Sequence, residues 1–185
     1  MKKIILLYFS LLLVGCGGSD GDENNNNNNI DPNEPNNILI VDGVEYQLES
    51  GTLLNYGGQQ GLYNIDLDIY SPGVNVPDCI EESATGLGQD IYFEMWTSES
   101  DYLDSITYSI VEDETESVGN ITFSDYILDF DSDNNEQNFL EISSGTVDVQ
   151  KSGNNYTISW NLIGELGEVI TGSYSGTLMY CDISN

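Results

Sequence analysis

Histidine and arginine are absent from this chain of 185 residues, and lysine occurs only at Lys2, Lys3 and Lys151. Affinity for nucleic-acid phosphates comes from lysine and arginine contacts, so nucleic acid is excluded as a partner. Histidine-based nucleophile pairs, histidine zinc sites and arginine phosphate clamps cannot be assembled from this inventory either. The longest apolar run, Ile4 to Val14, covers eleven positions, well short of the roughly 20 that a membrane-spanning helix needs. Helical periodicity is missing as well: beyond the leader, no segment repeats its apolar residues at intervals of three and four.

What is present begins at the first residues. Lys2 and Lys3 precede the apolar run, which ends in Leu13-Val14-Gly15-Cys16. A basic start, a short apolar stretch and a small residue before cysteine are the marks of a lipoprotein signal peptide. Residues 1–15 are therefore expected to be cleaved and Cys16 to be acylated, which anchors the chain without spanning the membrane. Residues 16–37 then read as a tether. They hold six consecutive asparagines, Asn24 to Asn29, with acidic residues, Pro32 and Pro35, and one aliphatic residue, Ile30. Such a composition buries too little apolar surface to offset its ordering entropy. The stretch Gly17-Gly18-Ser19-Asp20-Gly21-Asp22-Glu23 resembles the serine-plus-acidic export signal of Bacteroidota lipoproteins, with Gly21 interrupting the acids. That resemblance implies an outer-membrane address, exposed at the cell surface.

Residues 38–185 are of single-domain length. Without the leader, Lys151 is the sole base against 32 acids, a formal charge of about −31. Adhesion to anionic lipid heads is disfavoured, and the membrane is a partner through the anchor alone. With Cys16 acylated, Cys79 and Cys181 form an even pair in an oxidising compartment. A bridge between them is expected; two buried free thiols are the alternative. Neither thiol has a basic neighbour in sequence to activate it as a nucleophile.

Strand signals fill the domain. Ile38 to Val41 and Val44 to Leu48 flank Asp42-Gly43, a pairing suited to a tight hairpin with two positive φ angles. Leu62 to Ser71 alternates Tyr63, Ile65, Leu67 and Ile69 against Asn64, Asp66, Asp68 and Tyr70, which reads as a half-buried strand. Further strands are expected over Ile91 to Thr97, Ile106 to Val111, Ile121 to Phe130, Thr146 to Gln150, Tyr156 to Leu162 and Val169 to Tyr180. Gly172 and Gly176, inside the last of these, read as a bend or bulge. The fold class is all-β: an antiparallel β-sandwich or an up-and-down β-barrel of about 9–10 strands. Val41-Asp42-Gly43-Val44-Glu45-Tyr46 and the hairpins from Gly145 to Leu178 resemble those of small uncharacterised surface lipoproteins of Bacteroidota. The resemblance implies topology and export and carries no activity or site residues.

Two constellations bear chemistry. Asp129, Asp131, Asp133 and Asn135 place oxygen atoms at alternate positions, the start of a calcium loop. Asn134 stands where such a loop needs glycine, and Glu141 falls one residue late. Solvated acids on a strand and turn are the alternative. Trp96 and Tyr92 share an alternation phase with Glu94 and form a candidate stacking surface for sugar rings, whereas Trp160 lies in phase with Tyr156 and Ile158 and is expected in the core. Asp66 and Asp68 share a strand face, but nothing in the sequence singles them out as a catalytic pair. The domain is expected to be a non-enzymatic binding or structural module whose partner is a glycan or an envelope protein. A calcium-dependent carbohydrate-binding module is the alternative, with calcium its only cofactor.

Overall fold

In the computed structural model the described residues are 37–79, 83–113, 115–134 and 137–184. The signal peptide, Cys16 and nearly all of the tether lie outside them, as does Asn135. Among the described residues there are twelve strands and no α-helix.

The chain enters through β1 (Ile38–Val41) and β2 (Val44–Gln47), joined by Asp42 and Gly43 at φ 49° and 81°. A second such turn, Gln60 and Gly61 at φ 59° and 79°, joins β3 (Ser50–Gln59) to β4 (Leu62–Tyr70). Then come β5 (Val74–Asn75), β6 (Thr85–Thr97), β7 (Thr107–Ile110) and β8 (Asn120–Asp131). The last four are β9 (Leu140–Ser152), β10 (Asn155–Gly164), β11 (Val169–Thr177) and β12 (Met179–Asp182). Hydrogen bonding orders them β12-β3-β4-β6-β8-β7-β9-β10-β11-β1-β2, with the short β5 added to β6. This one sheet curls into a half-barrel, so that Phe93 on β6 meets Trp160 on β10 with ring centroids 6.3 Å apart. Ile65, Leu67, Ile91 and Met95 line one wall of the interior and Val147, Ile158, Leu162 and Ile170 the other.

The all-β reading holds, with differences of detail that have physical causes. Val169 to Tyr180 is two strands: the chain leaves β11 at Leu178, which packs against the core, and crosses to run parallel with β3. A second parallel pairing joins β7 to β8. Strand β3 was not legible because Gly51, Gly57 and Gly58 break its apolar pattern, and a bulge lies between Asn55 and Gly57. Gly172 marks no bulge, since β11 pairs in unbroken register on both sides. A Cβ there would lie 2.2 Å from the Ile38 carbonyl oxygen and 2.6 Å from the Trp160 ring, so the glycine is a seat for that indole. Gly176 likewise makes room for the phenol of Tyr174. Strand β4 is not half-buried: Ile65, Leu67 and Ile69 face the core, and Asp66, Asp68 and Tyr70 on the other face are buried too.

Two devices close the structure. The loop from Ser98 to Ile106 folds over one end of the half-barrel and inserts Leu103, which is fully buried in the core. Asp104 holds that loop, its carboxylate accepting from Thr97 Oγ1 (2.9 Å), Ser98 N (2.8 Å) and Ser98 Oγ (3.0 Å). The Asp104 amide donates in turn to the Tyr108 hydroxyl at 2.9 Å. At the β12 edge Cys79 and Cys181 form the expected disulfide, with Cα atoms 6.0 Å apart.

Candidate functional site

The outer face of β4, β6 and β8 carries the candidate site. Strict alternation places Tyr92, Glu94 and Trp96 of β6 on this face, because Ile91, Phe93 and Met95 fill the core. On β8 the alternation breaks. The pairing passes from Glu94 with Phe123 to Met95 with Ile121, leaving Thr122 as the extra residue of a β-bulge. Ile121 is buried opposite Met95, whereas Phe123 is 43 % exposed. The bulge thus re-aims consecutive β8 side chains, Thr122 and Phe123, toward Glu94 and Trp96.

These four residues, with Glu116, line an open depression of about 310 Å³. A hydrogen-bond relay sets its floor. Trp96 Nε1 donates to Thr122 Oγ1 at 2.9 Å, and the Thr122 hydroxyl donates to Glu94 Oε1 at 2.7 Å. The relay holds the half-buried indole in one orientation and leaves Glu94 Oε2 free of it. Along the same face, Tyr92 lies 6.0 Å from Phe123 between ring centroids, with the planes tilted by 55°.

Below this aromatic row the face is acidic and closed to water. Asp66 pairs across from Glu94, and Tyr92 lies between Asp68 and Asp125. Asp66, Asp68 and Asp125 are 6 %, 4 % and 6 % exposed. Thr52 Oγ1 donates to Asp68 Oδ2 at 3.4 Å. Burial first, then the charge of Asp66 and a hydrogen bond to it, then Asp68 and Glu94, push the Tyr92 phenol far above its usual range. Tyr92 therefore stays a neutral donor.

The structure brings Trp96 and Tyr92 together on one face, as their shared phase implied. Thr122, Phe123 and Asp125 escaped the sequence reading because a bulge carries no local signature in β8. The calcium candidates lie elsewhere, at the end of β8 and in the turn that follows it. Asp129 is exposed there, and Asp131 Oδ1 accepts from the Asp133 amide at 3.0 Å, closing a turn on itself. Among the described residues no three acidic or thiol side chains are grouped so as to hold a metal ion. Cys16, the lipidation candidate, lies outside the described residues.

No protein-family model, curated protein or solved structure matches this chain. The Trp96 face offers two aromatic surfaces and two carboxylates, Glu94 and Glu116, in an open depression. It has no histidine, lysine or arginine to act as a nucleophile's base or to stabilise an anion.

Proposed function

We propose that the protein is a lipid-anchored, non-enzymatic binding domain of the bacterial outer-membrane surface, and that its Trp96 face takes carbohydrate. The observation that carries the ligand class is the Trp96–Thr122–Glu94 relay beside exposed Phe123. An oriented indole and a phenyl ring supply stacking surface, and a fixed carboxylate supplies an acceptor for sugar hydroxyls. With 27 acids against Lys151 over residues 38–185, an excess of 26 negative charges, this face favours neutral sugars over anionic ones. The lipobox at Leu13 to Cys16 supports the anchor, and the acidic Asp20 to Glu23 stretch supports surface display.

The test uses the full-length chain in a nonionic detergent, immobilised and probed with a neutral and acidic glycan panel. The expected result is retention of neutral glycans that shifts tryptophan emission and is lost in Trp96→Ala at an unchanged thermal midpoint. Retention unaffected by Trp96→Ala and Phe123→Ala together would refute the site. Repeating the panel with a chelator separates the calcium-dependent alternative: loss of binding would restore calcium as a cofactor.

A further inference from the structure

We propose a second ligand site, at the capped end of the half-barrel, that takes a carboxylate-bearing sugar ring. It is separate from the Trp96 face, sharing no lining residue with it, and stands whether or not that face binds glycan.

Lys151 is the only base in the domain. Amid so many acids an ion pair is the expected fate of an ammonium. Among the described residues Lys151 makes none. Its Nζ instead lies 4.7 Å from the Tyr102 ring centroid and 6.0 Å from that of Tyr156, and donates to the Gly153 carbonyl at 2.8 Å. An ammonium has three N–H donors, so its other two are not spent on protein acceptors.

The surroundings form a cleft. The capping loop supplies Asp101 and Tyr102, the β9–β10 hairpin supplies Lys151 and Asn154, and the β11–β12 crossover supplies Leu178 and Tyr180. Together they enclose about 350 Å³, room for a monosaccharide or two. Tyr180 is fixed at its tip, accepting from Asn55 Nδ2 at 3.2 Å and donating to the Ser100 carbonyl at 2.9 Å. Its ring, 39 % exposed, is therefore a positioned stacking surface. Asn154 and Asp101 offer polar groups for ring hydroxyls, and Lys151 offers the single positive charge for a carboxylate. A cation held over aromatic rings is partly desolvated, which strengthens a charge-assisted hydrogen bond to an incoming anion.

The acids nearest this cleft decide which anion fits. Asp101 lines it, and Glu99 and Asp104 act on Tyr102, whose phenol is raised above its ordinary value by burial and then by these three. One carboxylate can be placed at Lys151, and a second would meet Asp101. The ligand is a monocarboxylated sugar of the uronate type, with hydroxyls toward Asp101.

Three probes share a ring and differ in charge: glucuronate, glucose and glucosamine. Saturation-transfer NMR and titration on the full-length chain in detergent are expected to rank glucuronate first by about tenfold, the worth of one charge-assisted hydrogen bond. Lys151→Met should abolish that preference and Lys151→Arg should keep it. Equal thermal midpoints for the two Lys151 variants exclude a folding effect. Glucuronate binding no tighter than glucose, tighter binding of glucosamine, or a preference that survives Lys151→Met would each overturn the proposal.

Discussion

Replacing Cys79 and Cys181 together by serine should remove a large share of the domain's stability. The bridge closes a loop with a sequence separation of 102. In the chain-entropy treatment a loop of that size restricts the unfolded chain by about 16 cal/mol/K, or about 4.7 kcal/mol at 25 °C. Two local features modify this figure. Cys79 holds a left-handed backbone at φ 60°, a conformation that costs a side-chain-bearing residue about 1–2 kcal/mol, and an unbridged loop is free to relax it. Against that, β12 is a four-residue parallel strand at the sheet edge, tied to the loop by the bridge. The net expectation is a loss of about 3–5 kcal/mol, set against the roughly 5–15 kcal/mol that holds a domain folded. Urea unfolding followed by tryptophan fluorescence measures it. The midpoint should fall, and the m-value should rise because the unlinked unfolded chain exposes more surface. A loss under about 1 kcal/mol with an unchanged m-value would exclude an effect through the unfolded chain. It would mean that the bridge ties down β12 locally and does not restrain the unfolded ensemble, and faster amide exchange confined to residues 179–183 would show that directly.

Leu103→Ala should cost about 2–5 kcal/mol, because the capping loop inserts this side chain into the core and a shortened one leaves a cavity; thermal unfolding of the variant reads it. Gly172→Ala should destabilise by about 2 kcal/mol or more, since the added methyl meets the Ile38 carbonyl and the Trp160 ring. A denaturant midpoint equal to wild type would show that β11 can yield there. Burial pushes the Tyr156 phenol up to about 12 from the usual 10 and raises those of Tyr108 and Tyr174 for the same reason. The folded state thus favours the protonated phenols, so the stability they contribute is complete below about pH 10 and is lost as pH rises toward 12. Urea midpoints from pH 8 to 11.5 should fall only above about pH 10, alongside tyrosinate absorbance.

How far the sequence spoke for the site depends on the strand. On β6 the run Ile91 to Thr97 alternates without interruption, so Trp96 and Tyr92 could be assigned to one face from their spacing alone. On β8 the same rule sends Phe123 inward with Ile121, and the bulge at Thr122 reverses it. The depression exists because two registers fail to match, a property of the strand pair and of neither strand. Asp66 and Asp68 show a related limit. Charge and alternation assign them to water, yet that face of β4 is covered. Lys151 is the contrasting case: its rarity was plain in the composition, while its place over Tyr102 depends on a loop that arrives from β6.

The sequence by itself determined what is local. Period-two alternation, the Asp42-Gly43 turn and the want of helical periodicity settle an all-β chain, because each depends on neighbours within a few residues. An even pair of cysteines and the absent histidine and arginine set which bonds and reactions were available. Only the tertiary structure decided the parallel return of β12, the curl that brings Phe93 to Trp160, the capping by Leu103 and the two clefts. Those are pairings between segments far apart in the chain. Their outcome depends on which register buries the most apolar surface across the whole sheet, and no window of sequence contains that sum.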